Sequence, residues 1–134
     1  MVALGPVTLY QLGIVRHLPD PPLPGFDADK VHASPQAYPI GSIPDGAIGI
    51  ASYAATLALA LACSPQRAQR RPWLPVALGA KVTFDLSQVV RLTWIEIAVL
   101  RAISGWSLLS STATISSVGP ALRAARTALR RLSA

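Results

Sequence analysis

The sequence predicts an all-α membrane protein with about three transmembrane helices, and three observations predict it. Hydrophobic residues make up 51% of the 134 positions and charged residues only 13%, with a mean hydropathy of +0.44, which is too apolar for an ordinary soluble domain of this size. Long segments with few charges recur at about the length of a bilayer crossing. The basic residues behind the net charge of +6 gather in short clusters that flank those segments, as membrane topology requires. They are not interleaved with aromatics on a polar face, so nucleic acid is excluded as a partner and the lipid bilayer is expected instead. The single cysteine, Cys63, rules out an intramolecular disulfide, a CxxC pair and a multi-cysteine metal site. No metal is expected, and residues 1–134 are read as one domain.

Residues 1–42 form an N-terminal segment and an outer loop. The first 16 are mildly apolar, interrupted by Gly5, Pro6, Gln11 and Gly13, and too short to span a bilayer. Four prolines between His17 and Phe26 forbid regular helix and favour an extended strap. A short helix is expected near Asp29 to Ala33. His17 and His32 are read as isolated residues on this solvated loop, with surface roles.

The first transmembrane helix covers 43–63. Pro44 suits a first helical turn, Asp45 favours the positive end of the dipole, and no charge follows as far as Cys63. A basic turn with Arg67, Arg70 and Arg71 leads to the second helix, 73–100. Trp73 is placed there at the depth that indole rings prefer. This helix carries a polar stripe of Lys81, Asp85, Gln88 and Glu96 on one face. Charges at mid-membrane are costly unless paired or turned toward protein, so the stripe is expected to contact a partner subunit, with a Lys81 to Asp85 ion pair as the minimal compensation. The third helix, 104–122, is rich in Ser and Thr, which permit close helix packing. Gly119-Pro120 is read as a kink or break before a basic amphipathic tail, 123–134. Three spans put Arg67, Arg70, Arg71, Arg123, Arg126, Arg130 and Arg131 on one side, which should be cytoplasmic. The N-terminal loop then lies outside. A bacterial inner membrane is the expected location.

The stretch Lys30-Val-His-Ala-Ser-Pro-Gln-Ala-Tyr-Pro-Ile-Gly-Ser-Ile-Pro-Asp-Gly-Ala-Ile-Gly-Ile-Ala-Ser-Tyr53 resembles the vitamin K epoxide reductase family. It shares that family's Ser before a short turn, then Gly, Ile-Pro, Gly and a Tyr on the following helix. The resemblance continues through Arg71-Pro-Trp-Leu-Pro75 and into Ala102-Ile-Ser-Gly-Trp-Ser-Leu-Leu109, which looks like the C-x-W-C-L-L motif opening the family's last helix. It implies a helical bundle that holds a quinone beside a CxxC pair fed by two loop cysteines. Here Ser104 and Ser107 stand at the CxxC positions and the loop has no cysteine. A hydroxyl forms no disulfide and has no thiolate-like state near neutral pH. No catalytic residue is therefore expected, and the chain leans away from being an enzyme. The expected function is a redox-inactive structural or accessory subunit of a larger membrane complex, of the electron-transfer or photosynthetic kind, with other membrane-protein subunits as partners. The alternatives are a quinone- or prenyl-ring-binding protein, with Trp106, Tyr53, Ser104 and Ser107 around the ring, and a thiol/quinone oxidoreductase that relies on a partner's thiols. A quinone is the cofactor the resemblance implies.

Overall fold

The computed structural model describes residues 3–132. Positions 1–2 of the N-terminal segment and 133–134 of the basic tail lie outside the described residues. Among the described residues six α-helices occur in chain order: α1 (Leu4–Gln11), α2 (Ala28–His32), α3 (Asp45–Ala62), α4 (Pro65–Arg70), α5 (Trp73–Trp94) and α6 (Gly105–Leu132). A 3₁₀ turn, Pro35–Ala37, precedes α3, and a π-helical segment, Ile95–Leu100, extends α5. Among the described residues, β-pairing is confined to two isolated bridges. The all-α class is thus what the chain adopts.

Helix boundaries follow local chemistry. The Asp27 side chain accepts the Lys30 N–H at the start of α2, and the Ser64 hydroxyl accepts the Arg67 N–H at the start of α4, with Pro65 in the first turn. Asp45 occupies the first turn of α3 behind Pro44, where its charge meets the positive end of the helix dipole. The π-helical segment ends at Arg101, which takes a left-handed backbone (φ 49°). A four-residue connector then reverses the chain so that α6 returns along α5, the most extensive helix pairing of the fold.

Gly79 lets α5 and α6 approach closely, since a Cβ there would meet the Cβ of Ala125 at 2.7 Å. Gly46 does the same between α3 and α1, where a Cβ would lie 2.7 Å from the Thr8 hydroxyl oxygen. At the opposite end from the arginines, the proline-rich strap is tied to the connector. Ile103 N–H donates to Gly25 C=O (2.8 Å) and Asp27 N–H donates to Ile103 C=O (3.0 Å). Val7, Leu18 and Ala28 form a small buried core beneath the strap, with Tyr10 and Trp106 packed against it.

Two expectations are corrected here. Gly119-Pro120 does not break the helix: α6 runs through Pro120 to Leu132 and buries Ala121, Ala125 and Ala128. The predicted third span and basic tail are therefore one helix. His32 is not a surface residue; it is 5% exposed, because α2 folds inward over the bundle. Of the three predicted spans, only α3 among the described residues is long and apolar enough to cross a membrane by length and composition. Charges on α5 and hydroxyls and arginines on α6 lower the hydropathy of the other two.

Candidate functional site

A cavity of about 340 Å³ opens between α1, α3, α5 and α6 below the α2 loop. Its wall is mostly apolar, with Val7, Ile48, Leu92 and Trp106 among its residues. Polar groups gather at two places. One end is lined by His32, Asp45, Glu96 and Ser107, and deeper along α3 and α5 the wall includes Ser52 and Asp85. Asp85 and Glu96 are eleven residues apart on one rod, so these poles stand roughly 16 Å apart along the helix axis.

Residues distant in sequence build the upper pole. His32 Nε2 and Ser104 Oγ are 3.1 Å apart, and Ser104 is completely buried. The Trp106 N–H donates to the Ser104 hydroxyl oxygen (3.2 Å), while the Ser104 N–H donates to Glu96 Oε2 (3.4 Å). Glu96 is 7% exposed and lies beside the Ser107 side chain. Burial pushes the His32 imidazole below its ordinary pKa, against the partial opposition of the Asp45, Asp20 and Asp29 charges. Its Nδ1 is buried with no hydrogen-bond partner among the described residues.

Gln11 fastens this pole to α1. Its amide donates to Asp45 Oδ1 (2.6 Å) and its carbonyl oxygen accepts the Gly46 N–H (3.1 Å). Asp20, on the strap, accepts the Gly105 N–H at the start of α6 (2.8 Å), a favourable place for a carboxylate. The Trp106 indole N–H donates to Pro19 C=O (3.0 Å). The strap therefore fixes both the first turn of α6 and the aromatic ring on the cavity wall.

The deeper pole is an ion pair completed by hydroxyls. Lys81 Nζ lies 2.5 Å from Asp85 Oδ1 and donates to Ser52 Oγ (2.8 Å) and Thr56 Oγ1 (3.1 Å). Ser52 and Thr56 in turn donate to the two oxygens of Asp85, at 2.9 and 2.8 Å. The Lys81 to Asp85 pair expected from the sequence is present. Ser52 and Thr56 were not singled out from the sequence, although their i, i+4 spacing on α3 matches that of the pair they meet on α5. Gln88 lines the cavity between the poles.

The sequence-selected residues divide as follows. Trp106, Tyr53 and Ser107 line the cavity, and Ser104 is sealed just behind His32. The Tyr53 hydroxyl donates to Ser110 C=O (3.0 Å) and hydrogen-bonds Thr114, which ties α3 to α6. His17 stays exposed and pairs with Asp29. Burial works to raise the Asp29 pKa, but the Leu18 N–H and His17 outweigh it and hold the carboxyl below its ordinary range. Cys63 is a free thiol at the far end of α3. Among the described residues, no group of three His, Cys, Asp or Glu side chains is placed to hold a metal. His32, Gln11 and Asp20 escaped sequence reasoning. The one available signal was His32 inside the short helix pattern after Asp27.

No curated protein and no solved structure gives a significant match to the chain. The sequence pattern of the vitamin K epoxide reductase family matches residues 2–121, a span that contains the α2 loop, the cavity and the serine motif. The chain belongs to the vitamin K epoxide reductase family.

Proposed function

We propose that this chain is a membrane-integral member of its family that holds a quinone or similar prenylated ring and carries out no thiol chemistry of its own. The observation that carries the reading is the cavity of about 340 Å³, which has the size and mostly apolar wall of a small-molecule site with a few oriented polar groups. Trp106 supplies an aromatic face. Ser107 supplies a hydroxyl on the cavity wall, and Ser104, sealed behind it, reaches the His32 imidazole; both stand where the family's motif has thiols, and neither can pass electrons to a ring. In this reading α3, α5 and α6 all cross the bilayer. The internal pairing of Lys81 with Asp85 offsets the cost of charge on α5, and serine and threonine hydroxyls on α6 bond back to their own helix, as Thr112 does to Leu108 C=O. The arginine-rich end faces the cytoplasm of a bacterial inner membrane.

The test is extraction of lipids from the chain purified in mild detergent, followed by mass analysis. A near-stoichiometric quinone or prenylated ring is the expected result; its clean absence defeats the proposal. A second reading, a structural subunit of a larger membrane complex, is favoured by the exposed face of α6, where Thr112 and Ser116 stand among Leu109 and Ile115. Small hydroxylated residues of this kind permit close helix contact. The same preparation tests it: reproducible copurifying subunits support it, and a stable monomer from native membranes speaks against it.

A further inference from the structure

The upper pole of the cavity contains an unresolved hydrogen bond. The Ser104 hydroxyl oxygen already accepts the Trp106 N–H, so its own proton needs an acceptor. Ser104 is fully buried, which removes water from consideration. Among the described residues, the acceptor within reach is His32 Nε2, 3.1 Å away. If the imidazole instead donated from Nε2, the serine oxygen would accept twice while its buried proton had no partner, an arrangement that folded proteins avoid. The neutral ring therefore carries its proton on Nδ1. That N–H is buried and has no acceptor among the described residues, yet His32 lines the cavity.

We propose that a ring held in the cavity meets the Nδ1–H of His32 with a carbonyl oxygen, the imidazole shifting slightly to bring this otherwise enclosed N–H to the wall, and that Ser104 holds it in the tautomer this requires. The inference rests on the ring-binding reading of the cavity and adds the donor and its orienting group. Glu96, on the same wall, is already engaged at Oε2 by the Ser104 N–H (3.4 Å). Ser107 lies against Glu96. His32 is thus the donor that this pole presents, and a carbonyl-bearing ring is the class it selects. Ser104, at a position where the family's motif has a thiol, is a positioning residue in this scheme.

The experiment uses the full chain in mild detergent, stripped of bound lipid, and titrates it with 2-methyl-1,4-naphthoquinone and with carbonyl-free 2-methylnaphthalene. The quinone is expected to bind the native chain, and His32→Phe to weaken it by about tenfold, the size of one hydrogen bond. Affinity for 2-methylnaphthalene should change by no more than about twofold, because no carbonyl is involved. His32→Gln, which keeps an N–H donor, should retain most of the quinone affinity. Ser104→Ala should weaken quinone binding in the native background and have no further effect beside His32→Phe. In parallel, nitrogen-15 histidine spectra of a His17→Gln chain should show His32 neutral with its proton on Nδ1, and Ser104→Ala should disturb that state. This spectrum keeps the test decisive if His32→Phe does not fold. Equal quinone affinity in the native and His32→Phe chains, or a proton found on Nε2, overturns the assignment while leaving ring binding in place. A native chain that binds neither probe overturns both.

Discussion

His32 shows how one buried residue turns environment into a measurable property. Its imidazole lies under α2 and loses hydration, which disfavours the charged form and depresses its pKa; the nearby Asp45, Asp20 and Asp29 charges recover only part of that loss. The unfolded chain keeps an ordinary histidine, near 6.5. Above that pH both states are neutral and the full stability is present. As pH falls below it, the unfolded state takes up a proton that the folded state resists, so stability is lost with a limiting slope of about 1.4 kcal/mol per pH unit for one group. Thermal unfolding in detergent should therefore show the native chain weakening between about pH 6.5 and 5 relative to His32→Gln. Parallel curves for the two chains would mean that His32 titrates alike in both states. The Lys81 and Asp85 pair illustrates a second way to bury polar groups, by surrounding them with hydrogen-bond partners. Five donor hydrogen bonds from Lys81, Ser52 and Thr56 link these groups to the carboxylate and to one another within 3.1 Å. Such satisfaction is what makes a buried ion pair tolerable.

At the scale of elements, the sequence was informative wherever local chemistry decides the outcome. Pro44 with Asp45 and the uncharged run before Cys63 located α3 closely, whereas the basic turn expected around Arg67 to Arg71 is in fact the short helix α4, started by Ser64 and Pro65. The π-helical extension of α5, the left-handed Arg101 and the passage of α6 through Pro120 depend on tertiary contacts that local patterns do not record. Proline removes one helical hydrogen bond and crowds the preceding turn, yet burial of Ala121, Ala125 and Ala128 keeps α6 running beside α5. The same contacts make Gly79 critical, because its missing side chain is where Ala125 sits, 2.7 Å from an added Cβ. Gly79→Val should push the two helices apart and reduce stability by about 1–3 kcal/mol, the usual cost of overpacking. Gly5→Ala, where an added Cβ meets nothing within 4 Å, is the matched control. Thermal unfolding of both variants in one detergent checks the prediction, and equal midpoints would show that the α5 and α6 seam is looser than its geometry implies. The site was legible to the same degree as the elements that carry it. Trp106, Tyr53 and Ser107 were marked by a motif on regular helices, while His32 reaches Ser104 across 72 positions through a loop fold that no periodicity announces.

For the whole molecule, charge divides the chain more sharply than hydropathy does. All six acidic residues lie between Asp20 and Glu96, and none falls in 46–84 or 97–134. Arg67, Arg70 and Arg71 precede α5, and Arg123, Arg126, Arg130 and Arg131 close α6, which returns along it. The antiparallel pairing therefore gathers seven arginines at one end and leaves the strap, Asp20, Asp27 and Asp29 at the other. Positive residues resist translocation, so the arginine end should remain in the cytoplasm. The lone thiol makes this directly testable, because Cys63 caps α3 at the arginine end. In intact cells of a bacterial host, a membrane-impermeant maleimide should leave Cys63 unlabelled, and permeabilisation in mild denaturant should expose it. A Leu23→Cys, Cys63→Ala chain moves the thiol to the exposed strap and should label without permeabilisation. If both thiols respond in the reverse order, the bundle is inverted; if both label in intact cells, α3 does not separate the two ends across a bilayer, and the membrane-spanning arrangement proposed for the cavity falls with it.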